Sequence, residues 1–235
     1  MGKKYTAAAE SFNAAELHDP RKAVELVKES AFAKFDETID AVFLLGIDPK
    51  QADQAVRGTV SLPHGTGKDV RVAAVAEGDK AKEAEAAGAA IVGGKELIKE
   101  IESGRTLDFD VMVATPDLMS EVGKLGRVLG PRGLMPNPKS GTVTQDIGKA
   151  VSEFKAGRVE YRNDRFGNIQ VPIGKASFGI DELETNLAAI TDEVIRAKPA
   201  GAKGRYLLKL VISSTMGPGV KIDPSAAGDL AKEAH

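Results

Sequence analysis

The feature that most constrains this fold is a change of rhythm near residue 68. Residues 70–76 form an apolar run of strand length, 79–87 read as a helix closed by Gly88, and 89–92 form a second short strand before the turn Gly93-Gly94. Residues 95–103 place Leu97, Ile98 and Ile101 on one helical face, and 109–114 form a third apolar strand. Thr115-Pro116 then supplies a cap followed by proline, a helix-start signal. Apolar strands alternating with helices over short links predict a parallel sheet covered on both faces.

The flanking segments follow another pattern. Asp19-Pro20 starts a helix running towards Ala31, Lys34-Phe35-Asp36-Glu37-Thr38 leads into a strand over 39–46, and Asp48-Pro49 repeats the cap-plus-proline signal before a short helix over 52–56. A strand over 58–62 ends at Pro63-His64-Gly65-Thr66-Gly67, a hinge or boundary signal. After a long Gly/Pro loop and a helix over 145–154, strand-like residues 159–162 and 169–173 flank Asn163-Asp164-Arg165-Phe166-Gly167-Asn168, a hairpin turn signal. A long helix over 181–197 carries Leu183, Leu187, Ile190, Val194 and Ile195 at helical spacing. A linker over 199–204 leads to a last strand over 206–212, and the small, polar tail after Asp223 is expected to be disordered. The N-terminal segment has too few strands to close a sheet alone. The expectation is an α/β protein of two domains. Residues 1–66 and 158–235 form a discontinuous α+β domain of split β-α-β type, and 67–157 form an inserted Rossmann-like βαβ domain.

Composition narrows the function classes. The 235 residues are 42% hydrophobic, enough for substantial cores, and only 5% aromatic without Trp, so those cores are aliphatic. With no cysteine, disulfides, thiol catalysis and cysteine-ligated zinc are excluded. Met1-Gly2-Lys3-Lys4-Tyr5 leads into a polar segment without a signal-peptide core, and no apolar run is long enough to span a bilayer. A net charge of −2 gives no global attraction for nucleic acid, so only local charge can provide it.

That local charge exists. Between Glu193 and Asp223 there is no acidic residue, but there are six cations: Arg196, Lys198, Lys203, Arg205, Lys209 and Lys221. The stretch includes Ser213-Ser214-Thr215-Met216-Gly217, small donors suited to phosphate and ribose. Residues 34–38 add a cation, an aromatic ring and a hydroxyl, although the ordinary reading of such a helix-to-strand link puts Phe35 in the core. In a discontinuous domain, residues 34–38 and 213–217 can share one surface. A second dense motif spans 124–141, with four glycines, three prolines and the cations Lys124, Arg127, Arg132 and Lys139. It is not a P-loop, because Lys139-Ser140 follows Pro138, which has no backbone N–H. His18, His64 and His235 lie far apart, and Asp36 and Glu37, adjacent on an extended segment, point to opposite faces. No nucleophile–base set and no cofactor are expected. A small-ligand enzyme using the βαβ crevice would need a phosphate fingerprint at its first β-to-α turn, but that turn is Ala76-Glu77-Gly78-Asp79, which is acidic.

The segment Gly126-Arg127-Val128-Leu129-Gly130-Pro131-Arg132-Gly133-Leu134-Met135-Pro136 resembles the signature of the bacterial L-one family of large-subunit ribosomal proteins. Further similar blocks are Asp48-Pro49, the segment 57–65, Tyr161-Arg162-Asn163-Asp164, Gly174-Lys175-Ala176-Ser177-Phe178 and Ser214-Thr215-Met216-Gly217-Pro218, in the family's order from about residue 20 to 222. The resemblance implies a cytoplasmic, non-enzymatic ribonucleoprotein component that needs no cofactor. It implies binding of 23S rRNA at the mobile stalk of the large ribosomal subunit, contact with deacylated tRNA leaving the E site, and repression of its own operon through an rRNA-like site in the mRNA. Family RNA contacts map onto Phe35, Thr38, Thr215, Met216 and Gly217, with Lys34, Glu37, Lys175, Ser177 and Ser214 nearby. Lys124, Arg127, Arg132 and Lys139 would face tRNA. Lys209 departs from the pattern, standing where some relatives carry a small hydroxyl residue. The acidic overall balance also departs from the usual basic ribosomal protein.

Overall fold

The computed structural model describes residues 2–104 and 108–233. In chain order its elements are α1 (Lys3–Glu10), α2 (Pro20–Ser30), β1 (Thr38–Leu45), β2 (Arg57–Ser61), β3 (Val72–Val75), α3 (Asp79–Ala86), β4 (Ile91–Gly93), α4 (Lys95–Glu102), β5 (Val111–Ala114), α5 (Met119–Val122), α6 (Gly126–Leu129), α7 (Ile147–Lys155), β6 (Arg158–Arg162), β7 (Asn168–Lys175), α8 (Ile180–Arg196), β8 (Leu207–Ser214), β9 (Val220–Ile222) and α9 (Pro224–Glu233). Contacts divide the chain into one unit of Met1–Gly67 with Val159–His235 and a second unit of Lys68–Arg158.

In the first unit the sheet order is β7-β1-β8-β9, with β1 antiparallel to both β7 and β8. β7 and β8 are therefore parallel, joined by α8, with β1 between them: a split β-α-β arrangement. A parallel pair needs a helical crossover, and α8 is that crossover. The alternation of β1 buries Ile39, Ala41, Phe43 and Leu45, which join Leu183, Leu187, Ile190 and Val194 of α8 and Ala23, Val24 and Val27 of α2 in one core. Asp19 caps α2, its carboxylate accepting the Arg21 N–H at 3.1 Å, with Pro20 at the first helical position.

Three expectations are corrected here. Residues 163–168 do form a hairpin turn, with Asn163 and Ile169 bridged antiparallel across it, but the strands it joins then part: β6 pairs with β2 in a separate two-stranded sheet, while β7 pairs with β1. The turn is set by Asp164, whose Oδ1 accepts the N–H groups of Phe166 at 2.7 Å and Asn168 at 2.9 Å, and by Gly167 at φ +83°. Over its described residues, 224–233, the tail after Asp223 is not disordered. It forms α9, which packs on α8 and β8 through buried Ala227 and Ala231. Residues 124–141 are not wholly loop, since a 3₁₀ turn and α6 cover 123–129, anchored by buried Leu125 and Leu129. His235 lies outside the described residues.

The second unit has a parallel sheet of order β4-β3-β5. Its two faces carry separate cores. Ala73, Val75, Met112 and Ala114 pack with Leu97, Ile98, Ile101, Leu125 and Leu129 on one face. Val72, Ala74 and Val113 pack with Ala84, Ile147, Val151 and Phe154 on the other. The period-2 alternation of β3 thus feeds both layers.

Candidate nucleic-acid interface

Three strand ends of the first unit meet at one edge of its sheet. Thr38, opening β1, is paired with Lys175, closing β7, while Ile39 is paired with Gly174 and Ser214. Side chains then tie these ends together. The Thr215 hydroxyl accepts the Thr38 N–H at 3.0 Å and donates to the Thr38 carbonyl at 3.2 Å. The Lys175 ammonium donates to the Thr38 hydroxyl at 2.8 Å. The Ser177 hydroxyl donates to Asp36 at 2.8 Å. The Gly217 N–H donates to the Ser214 carbonyl at 3.2 Å, and a Cβ at position 217 would meet Ser214 Oγ at 2.5 Å, so a larger residue there requires that hydroxyl to move.

Beneath this edge lies Glu37, only 1% exposed. Its carboxylate accepts the N–H groups of Ala33 at 2.7 Å and Met216 at 2.9 Å, clamping the loop before β1 to the turn after β8. Burial pushes its carboxyl up, but the amides of Met216 and Ala33 among its hydrogen-bond donors outweigh burial and hold it below the ordinary carboxylate value. Asp40, one step inside the edge, is shifted the other way, raised by burial with Lys175 acting against it.

The clamped segments present side chains to solvent. Phe35 is 57% exposed and Met216 51% exposed, so Phe35 is not a core residue as the ordinary reading of that link had it. Lys34, Ser177 and Thr215 are exposed, Thr38, Lys175 and Gly217 are partly buried, and Ser214 is buried with Glu37. Glu37 and Ser214 therefore shape the surface from below. Sequence reasoning gave no sign of the Glu37 clamp, because the amide it holds belongs to a residue far along the chain.

The basic stretch after Glu193 does not make one surface. Arg196 pairs with Asp192 at 2.6 Å, Lys198 lies over the Tyr206 ring, and Lys221 sits on β9. Lys203 and Arg205 are exposed just before β8, whereas the hydroxyl turn follows its other end, roughly 25 Å away at the rise of an extended strand. In the second unit, Lys124 is paired with Glu121, while Arg127, Arg132 and Lys139 are exposed and in no ion pair among the described residues. No group of acidic and imidazole side chains that could hold a metal occurs among the described residues. None of their helices is long and apolar enough to cross a membrane.

A sequence model of the ribosomal protein L1p/L10e family matches residues 27–218. The chain belongs to that family. It is 57% identical over 231 residues to the large ribosomal subunit protein uL1 of Nocardioides sp., covering 98% of this chain and 96% of that one. It is 59% identical over 227 residues to the protein of the same name from Cutibacterium acnes, covering 97% of each. Family membership makes it a ribosomal protein rather than an enzyme. The matched span contains the whole edge from Lys34 to Gly217, while α1, β9 and α9 lie outside it.

Proposed function

We propose that this protein binds 23S rRNA of the large ribosomal subunit through the clamped sheet edge of its first unit. The observation that carries the reading is the rigid mounting of two exposed apolar side chains, Phe35 and Met216, on segments joined by the Glu37 carboxylate and the Thr215–Thr38 pair. A side chain held in place beforehand loses little freedom on binding, and exposed apolar side chains offer stacking or wedge contacts to unpaired bases. Lys34 and Lys175 supply charge, and the backbone of Thr215 and Gly217 meets ribose and phosphate. Charge is a minor part of this interface, so recognition rests on shape.

Two finer roles belong to the same reading. The exposed Arg127, Arg132 and Lys139 of the second unit form a weak contact for deacylated tRNA leaving the E site, since a surface that helps release must also let go. The rRNA edge also recognises a similar fold in the protein's own operon mRNA and thereby represses its translation. In filter binding to an rRNA stalk fragment, the double variant Phe35→Ala/Met216→Ala is expected to lose about 1–3 kcal/mol from the Phe35 stack, with a further loss from the apolar contact of Met216. Arg127→Ala/Arg132→Ala is expected to leave that affinity unchanged and to slow tRNA release from ribosomes. Repression of a reporter carrying the operon leader should fall in parallel with rRNA affinity. Unchanged rRNA affinity in the Phe35/Met216 variant would remove this edge from the site.

A further inference from the structure

The opposite end of the same sheet carries a second cluster. The turn between β6 and β7 borders an open recess of about 460 Å³ lined by Arg162, Asn163, Asp164, Arg165, Asn168 and Gln170. Phe166, at its tip, is 68% exposed, the most exposed large hydrophobic residue described, and the Arg165 guanidinium lies over its ring at 5.1 Å. Arg162 and Arg165 are exposed and in no ion pair among the described residues. The one acid in the recess is already committed. Asp164 keeps its charge, its carboxyl held low by the Asn168 side chain and by amides of the turn, and its oxygens face those donors. More charge lies nearby. The Leu45 N–H donates to the Gly167 carbonyl at 2.9 Å and the Gly46 N–H to the Tyr206 carbonyl at 2.7 Å, so exposed Arg205 adjoins the same strand end.

An exposed aromatic face beside unpaired guanidinium groups and the exposed Gln170 carboxamide is the chemistry that holds an unpaired nucleotide: a π-face for the base, cations for phosphate, and an amide donor and acceptor for a base edge or the 2′-hydroxyl, the Asn163 carboxamide being engaged by Val56 and Asp164 and the Asn168 amide by Asp164. A buried or merely structural Phe would not stand out from a turn that Asp164 and Gly167 already fix. The geometry points to a second RNA-binding site at this turn, one that takes a single-stranded RNA segment with a base on Phe166 and flanking phosphates on Arg162 and Arg165. The site is separate from the Phe35–Met216 edge, at the other end of β1 and β7.

The test is fluorescence anisotropy of the full chain with a short labelled single-stranded RNA over a range of salt. Phe166→Ala is expected to weaken binding about fivefold or more, the lower end of a lost base stack. Arg162→Ala/Arg165→Ala is expected to weaken it further and to flatten the salt dependence by about 1.4 in logarithmic slope, two phosphate contacts on a single strand. Arg165→Lys keeps the charge but not the planar stack, and should recover the slope while recovering only part of the affinity. Circular dichroism should show each variant folded, since these side chains are exposed. Met216→Ala should leave this binding unchanged while weakening the rRNA stalk fragment, so the two sites fail separately. Unchanged affinity in both the Phe166 and the double arginine variants overturns the proposal. So does displacement of the RNA by polyglutamate that depends on the same residues and leaves no stacking effect, which would mark an acidic protein partner instead.

Discussion

Glu37 illustrates how a buried charge can organise a surface it never reaches. Its carboxylate holds amides on either side of the candidate interface, and a charged hydrogen bond of this kind contributes about 1.5–3 kcal/mol. Glu37→Ala leaves both amides without that acceptor, and its urea midpoint should correspond to a loss of about 3 kcal/mol, with rRNA affinity falling as the turn loosens. The pH dependence follows from the lowered carboxyl. Stabilisation by Glu37 is complete above the unfolded carboxylate's value of about 4.3 and is lost as pH falls through the lower folded value. The stability gap between the wild type and Glu37→Gln should therefore be widest at neutral pH and close in strong acid. A gap that widened on acidification would show that the amides do not stabilise the ionised form. Thr215 behaves differently: its hydroxyl is already engaged by Thr38, so Thr215→Ser should retain binding while Thr215→Val, isosteric but without the hydroxyl, should lose it in the same titration.

At the level of elements, α9 is the clearest case of structure departing from composition. Its Ala227 and Ala231 are buried against the first unit, so a chain ending at Asp223 should be destabilised by about 2 kcal/mol from the apolar surface re-exposed. Thermal denaturation would register this as a fall of about 4–8 °C. No change would mean that α9 adds nothing to the fold. The helix was hard to see in the sequence because alanine and glycine give little amphipathic contrast, and its partners are contributed by α8 and β8. α1 was hidden too, since it buries no residue and so shows no apolar stripe. By contrast, α8 was legible almost to its ends, because Leu183, Leu187, Ile190 and Val194 recur at helical spacing and all are fully buried. The strands over 70–114 were legible for a similar reason, being apolar on both faces. What the sequence could not supply was pairing across distance: that β6 leaves β7 for β2, or that Lys175 and Thr215 converge on Thr38.

Among the described residues, the cores of the two units share no buried residue. Leu129→Ala, which opens a cavity in the second unit alone, should cost about 2–5 kcal/mol there and leave rRNA affinity at the Phe35–Met216 edge intact. Calorimetry together with filter binding would check both halves of that expectation, and loss of affinity would place part of the rRNA contact in the second unit. Sheet order has a further consequence, in the time domain of synthesis. β1 precedes the inserted unit, but both of its neighbours follow it, so β7 is translated on the order of ten seconds after β1. By the end of that interval the second unit has been synthesised, whereas Ile39, Ala41 and Phe43 still have no sheet to enter. Chains truncated before β7 and released from the ribosome should therefore resist protease over 68–158 and be cut within β1. The strand at the centre of the finished sheet is thus the one that must wait longest, unpaired, as the protein is made.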